Sequence, residues 1–176
     1  MDLLAHGLYG VTVCSRAGLA GGRRGSPRRW YRESTVWWAF LFGLLPDILS
    51  MWVPFAVHVV AGPPGIFFHH FGGGWLVVYR VVHSLVAAAA VSCTVLVLRR
   101  RLFVPSLAWS LHVVLDAISH GEGKWQTLLF YPFSSWGIDG IGWWHTPWLF
   151  ITYWAVLPAA WSTLRVWRKR GRQAEG

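Results

Sequence analysis

The strongest constraint on this chain is the alternation of long apolar runs with clusters of arginine. Five hydrophobic segments are legible: roughly Asp2 to Ser15, Ser34 to about Val60, Val77 to Leu98, Leu102 to Ser119, and about Pro147 to Val166. A helix needs about 20 apolar residues to cross a bilayer core, and the second to fifth segments reach or approach that length. The first is short and reads as a half-span tucked against its neighbours. Pro46 and Pro54 interrupt the second. Hydrophobic residues make up 55% of the chain and charged ones 13%, whereas an ordinary soluble domain carries about 25% charged residues. The expected fold is all-α, a polytopic helical bundle forming a single membrane domain over residues 1–176. It has about four full transmembrane helices and a short N-terminal intramembrane helix.

Arginines set the expected orientation. Arg16, Arg23, Arg24, Arg28, Arg29 and Arg32 fall in the loop 16–33, Arg99, Arg100 and Arg101 follow the third segment, and Arg165, Arg168, Lys169, Arg170 and Arg172 crowd the tail 165–176. The other two connections carry only Arg80 and Lys124. Alternate loops are therefore basic, as the positive-inside rule requires. The C-terminus is expected in the cytoplasm and the N-terminus outside, in a bacterial or archaeal inner membrane. The net charge of +9 does not point to nucleic acid, because the basic residues lie in blocks between apolar segments and not along one groove-facing helix. Binding of loop 16–33 to anionic lipid head groups is a second reading of the same charge, but topology already accounts for it. Fourteen Trp and five Tyr suit the aromatic belts of a membrane interface. Cys14 and Cys93 form no ligand motif and no disulfide framework. The start, MDLLAHGLYG, lacks the basic n-region of a signal peptide and is expected to be retained.

The stretch 110–120, SLHVVLDAISH, places His112, Asp116 and His120 one helical turn apart on one face. Helical rise gives the depths of such residues when the arginines mark the cytoplasmic edge. His6 lies about 15 Å up, Asp47 about 20, His83 about 24, and His112 and Asp116 about 17 and 22 Å. Five ionisable residues from four segments thus converge between mid-membrane and the outer leaflet. His120 and His145 land nearer the outer rim. An intramembrane carboxylate or imidazole costs a few kcal/mol, so each normally faces the protein interior and has a partner.

A lone histidine on an apolar helix is most simply a satisfied core residue, and for Asp47 or Asp116 alone a structural hydrogen bond and a functional role are equal readings. Three His and two Asp at one depth are different. They are a typical ligand inventory for a divalent cation, which also supplies the positive charge that two buried carboxylates need. His6, Asp47, His83, His112 and Asp116 are therefore the expected ligands. Pro46 should kink its helix and free the carbonyl of Phe42, and such breaks are tolerated where the loosened backbone lines a cavity or binds something. Asp2, four residues before His6, is expected to orient its imidazole.

The motifs HGLYG, GLLPDI, HSLV and HVVLDAISHGEGKWQTLLFYPFS occur in the order seen in the YdjM-like family of bacterial inner-membrane metal-dependent hydrolases, which the chain resembles. The matching positions are His6 with Gly10, Leu45-Pro46-Asp47, His83-Ser84, His112 with Asp116, and Pro132-Phe133, over roughly residues 1–135. The chain departs from the family pattern at Leu49, where a second Asp is usual, and at VYRVV, where a His-Arg-Gly commonly precedes the His-Ser pair. The resemblance implies a polytopic helical fold and a metal-dependent hydrolase.

A site of this kind is expected to bind Zn²⁺, or Mn or Fe, through imidazole and carboxylate with a position left for water. His120 is the candidate catalytic residue, placed to exchange protons with a leaving group nearer the outside; a rim histidine in water is an equal reading of it. Asp139 and the pair His69-His70 sit on outer connections, where glycine-rich turns explain them better than a lid does. The depth of the site suggests a substrate reached from the outer leaflet, such as a lipid-linked phosphate or ester. Two other classes remain: a non-enzymatic subunit whose histidines ligate haem or chlorophyll, which leaves the two Asp unexplained, and an ion or proton transporter using Asp47 and Asp116 as relays.

Overall fold

Asp2 begins the first helix. Its Oδ1 accepts a hydrogen bond from the Ala5 N–H at 3.0 Å, which satisfies one of the donors that every helix N-terminus leaves free. The helix that follows, α1, covers Leu3–Cys14. The computed structural model describes residues 1–22, 30–63 and 65–174. Arg23, Arg24, Arg28 and Arg29 of the first basic loop lie outside the described residues. In chain order there follow α2 (Ser34–Asp47), a π-helical turn (Ile48–Trp52), α3 (Val53–Ala61), the short α4 (Phe67–His70), α5 (Gly73–Val82), α6 (Leu85–Leu98), α7 (Phe103–Ser119) and α8 (Pro147–Ala174). The fold is 75% helical, and the described residues form no strand, only an isolated bridge between Leu128 and Gly137.

Among the described residues two stretches are long and apolar enough to cross a membrane, Ser34–Ala61 and Arg100–Ser119. The first runs through both of its prolines. Pro46 cannot donate a helical hydrogen bond, and the chain answers with the π turn, in which the Ser50 hydroxyl donates to the Pro46 carbonyl at 2.8 Å. A third span arises if α5 and α6 are counted as one, but they meet at an angle of 59°. The continuous segment expected from Val77 to Leu98 is therefore two helices. The break falls at His83-Ser84: the His83 ring turns back to the carbonyl of Tyr79, and the Ser84 hydroxyl accepts from the Ala87 N–H and starts α6 afresh. Helix α8 spans 28 residues but is not among the apolar stretches, since Trp, Thr and Pro interleave its first half and basic residues its second.

Helices α1, α2, α6 and α7 share a core of small side chains, among them Ala39, Ala88, Ala108 and Ala117. Small residues let helix backbones approach closely in a setting where lipid offers no hydrophobic drive to associate. Gly10 and Gly43 carry this to contact: a Cβ on Gly10 would lie 2.6 Å from the Ala39 carbonyl oxygen, and one on Gly43 would lie 2.7 Å from that of His6. Helix α8 is fixed to α1 by polar bonds. Tyr153 and Trp154 donate to Asp2 at 2.7 and 3.0 Å, and Trp161 donates to Thr12 at 3.0 Å. Near its end the buried guanidinium of Arg168 donates to the carbonyls of Ala17, Gly18 and Gly22. The end of α8 thus meets the described start of the first basic loop, Ala17 to Gly22. Elsewhere, Lys124 donates to the Phe68 carbonyl at 3.0 Å and ties the connection after α7 to α4.

Candidate metal centre

Each imidazole of the site is aimed by a main-chain or carboxylate partner. His112, in mid-α7, directs Nδ1 at the Gly43 carbonyl, 2.7 Å away on α2. A carbonyl only accepts, so Nδ1 carries the proton and Nε2 turns to the interior of the site. His83, at the break between α5 and α6, does the same through its 3.1 Å bond to the Tyr79 carbonyl. The backbone oxygen that aims His112 on α2 is that of Gly43. His6 is held differently from the expectation. Asp2 is occupied by the α1 N-terminus and by Tyr153 and Trp154, and it is Asp47 that stands 3.2 Å from His6 Nδ1.

The two carboxylates both come close to the three rings. Asp116 Oδ1 is 3.0 Å from His6 Nε2, and its Oδ2 is 3.2 Å from His112 Nε2 and 3.3 Å from His83 Nε2. Asp47 Oδ1 lies 3.4 Å from His83 Nε2 and 3.8 Å from His112 Nε2. The rings of His6 and His112 are 3.8 Å apart between centroids, and the Nε2 atoms of His83 and His112 are 3.2 Å apart. His6, His83, His112 and Asp116 are buried, and the Asp47 side chain keeps 17% of its exposure. The Met1 nitrogen also reaches Asp116 Oδ1, at 2.9 Å.

One donor atom from each of His6, Asp47, His112 and Asp116 lies within 4.8 Å of the others, so the group can hold a metal ion. His83 adjoins them. The bonding pattern fits a cation as well: buried His6 Nε2 and Asp116 Oδ2 meet their neighbours only as close N···O contacts, without the geometry of a hydrogen bond. Of the five residues expected at one depth, four thus form a group that could hold an ion, and His83 Nε2 lies 3.3 and 3.4 Å from the two carboxylates.

His120 stands one turn beyond Asp116, with Nδ1 3.7 Å from Asp116 Oδ2 and 3.4 Å from the Tyr79 hydroxyl. Burial lowers it to about 4, against the opposing pull of the Asp116 carboxylate. It shares the wall of a cavity of about 650 Å³ with Asp47 and Tyr79. Asp139 accepts from the Glu122 N–H at 3.0 Å and closes a turn. His70 stacks on His58 at 5.5 Å, by Gly65 and away from the carboxylate cluster. His145 ends a short turn beside Trp144.

Tyr79 was not legible as a site residue. Its carbonyl aims His83, its ring stacks on that imidazole at 4.2 Å, and its hydroxyl donates to the Trp125 carbonyl at 2.8 Å. Its position one helical turn before His83 was the available signal. No family model, curated protein or solved structure matches the chain.

Proposed function

We propose that the protein is a membrane-embedded metal-dependent hydrolase whose site lies in the outer half of the bilayer and acts on a lipid-like phosphate or ester. The observation that carries this reading is the approach of His83 Nε2 to His112 Nε2 at 3.2 Å. Both rings spend their Nδ1 proton on a carbonyl, so in the neutral state two lone pairs confront each other beside two carboxylates. That arrangement calls for a cation at the centre. Zinc suits an imidazole and carboxylate set best, with manganese or iron as substitutes.

A bound ion of this kind supplies a Lewis acid that activates water and polarises the scissile group. His6, Asp47, His83, His112 and Asp116 hold it, and the carbonyls of Gly43 and Tyr79 keep two of the rings in the ligating tautomer. His120 faces the cavity from beside Asp116 and takes or returns a proton at Nδ1, on the side from which substrate enters. A pigment-binding role fits less well, because His6, His83 and His112 turn towards the carboxylates and away from the cavity. In the proposed topology the bent α5–α6 pair and α8 each count as a span, giving four with a cytoplasmic C-terminus. The Arg168 bonds to the first basic loop support placing those two basic segments on one side.

The test is a search for hydrolysis in detergent micelles with lipid-like phosphomonoesters, phosphodiesters and acyl esters, run on metal-loaded, chelated and reloaded protein. Turnover lost on chelation and regained with zinc, manganese or iron supports the reading. Turnover that ignores the chelator, or metal-loaded protein inert on all three classes, contradicts it.

A further inference from the structure

The cavity beside the cluster has one polar end. Asp47, Tyr79 and His120 meet there, whereas the walls are built from side chains such as Met51, Trp52, Phe55, Phe67, Trp125 and Trp144. Asp2 and Met1 also line it, the first bonded to Tyr153 and Trp154 and the second paired through its ammonium with Asp116, and no Lys or Arg does so among the described residues. Its volume of about 650 Å³ lies within the roughly 300–1,000 Å³ of pockets that enclose a single small ligand.

The walls come from parts of the chain that share no other evident task. The π turn and α3 provide Met51, Trp52 and Phe55, α4 provides Phe67, and the connection between α7 and α8 provides Trp125 and Trp144. Contacts among them are aromatic: Phe67 meets Phe55 at 5.6 Å and Phe71 at 5.4 Å, and Phe71 meets Trp125 at 4.9 Å. Rings of this kind give a large apolar surface at fixed positions, so the cavity is preformed and need not collapse when empty.

We infer that this cavity is the seat of one hydrocarbon chain whose polar end is delivered to Asp47 and His120. The occupant is a single-chain amphiphile, such as the alkyl or isoprenoid part of the substrate. The inference rests on the hydrolase reading for its orientation only. Burial of the chain against apolar walls supplies the binding, and with no Lys or Arg in the lining and the Met1 ammonium paired to Asp116, the head group is left to the metal. A long-chain alcohol therefore binds with or without the ion. An alkyl phosphate needs the ion, because the metal-free end presents the Asp47 carboxylate to an anion.

The experiment uses the full chain in detergent and a long-chain alcohol bearing a terminal diazirine, with photolabelled peptides read by mass spectrometry. Labelling should fall on the segments carrying Met51 to Phe55 and Trp143 to Trp144, in chelated and metal-loaded protein alike. Unlabelled alcohol should compete and a diacyl phospholipid should not. Met51→Trp and, independently, Phe68→Trp at the more exposed wall should each lower labelling about tenfold through lost burial, with metal content unchanged. Alkyl phosphate should compete only with metal present.

Labelling spread over the outer faces of the helices, or untouched by competitor and by both substitutions, overturns the chain seat. Equal competition by diacyl lipid overturns its restriction to one chain. Specific labelling in a protein that hydrolyses nothing leaves the seat standing and removes only the hydrolase reading.

Discussion

His112 and Gly43 face each other across two helices, the Nδ1 of the ring donating to the glycine carbonyl at 2.7 Å. That bond decides which nitrogen of His112 looks into the cluster. At the same residue α2 also nearly touches α1, since a Cβ on Gly43 would meet the His6 carbonyl at 2.7 Å and the Gly7 Cα at 3.2 Å.

The first prediction follows from this contact. Gly43→Ala should push α1 from α2, moving His6 and the carbonyl that aims His112 together. Overpacking of this sort costs about 1–3 kcal/mol. Thermal unfolding should drop accordingly, and bound metal measured by elemental analysis should fall with it. A variant with unaltered metal content would show that the site does not depend on this helix approach.

The second prediction separates ligands from other histidines. His112→Ala and Asp116→Asn should each reduce bound metal to near zero, since each removes a ligand shared by the whole cluster. His58→Ala should leave metal content unchanged, because His58 bonds to the Gly65 carbonyl and stacks on His70 elsewhere. Equal metal in all three proteins would remove the basis for the assignment.

The third prediction concerns topology. Reporter fusions after Arg101 and Val166 should read cytoplasmic, and one near Lys124 external. A cytoplasmic signal at Lys124 would overturn the orientation and the outer-leaflet position of the site.

Much of the site was legible in the sequence because the membrane makes ionisable residues expensive. His6, Asp47, His83, His112 and Asp116 stand out against apolar segments, and helical rise alone places them at one height. What aims them was not legible. Gly43 and Tyr79 act through main-chain carbonyls, which no residue type advertises, and Asp2 turned out to serve helix α8 and not His6 because Tyr153 and Trp154 arrive from far along the chain. The fold was legible as helical but not in its details. The bend at His83-Ser84 interrupts a run that is apolar on both sides, so periodicity gives no warning, although Ser84 is a good N-cap. The apolar cavity was equally hidden, because wall residues from three separate parts of the chain look like ordinary membrane aromatics until the fold gathers them.

The central claim is that five side chains share one cation, and thermal unfolding of metal-loaded protein before and after chelation tests it most directly. A ligand bound only by the folded state stabilises it by mass action, about 2.7 kcal/mol when present at 100 times its dissociation constant. Chelation should therefore lower the melting temperature by several degrees, and added zinc should restore it. A melting temperature that does not move when the ion is stripped would mean that His6, Asp47, His83, His112 and Asp116 form no common metal site.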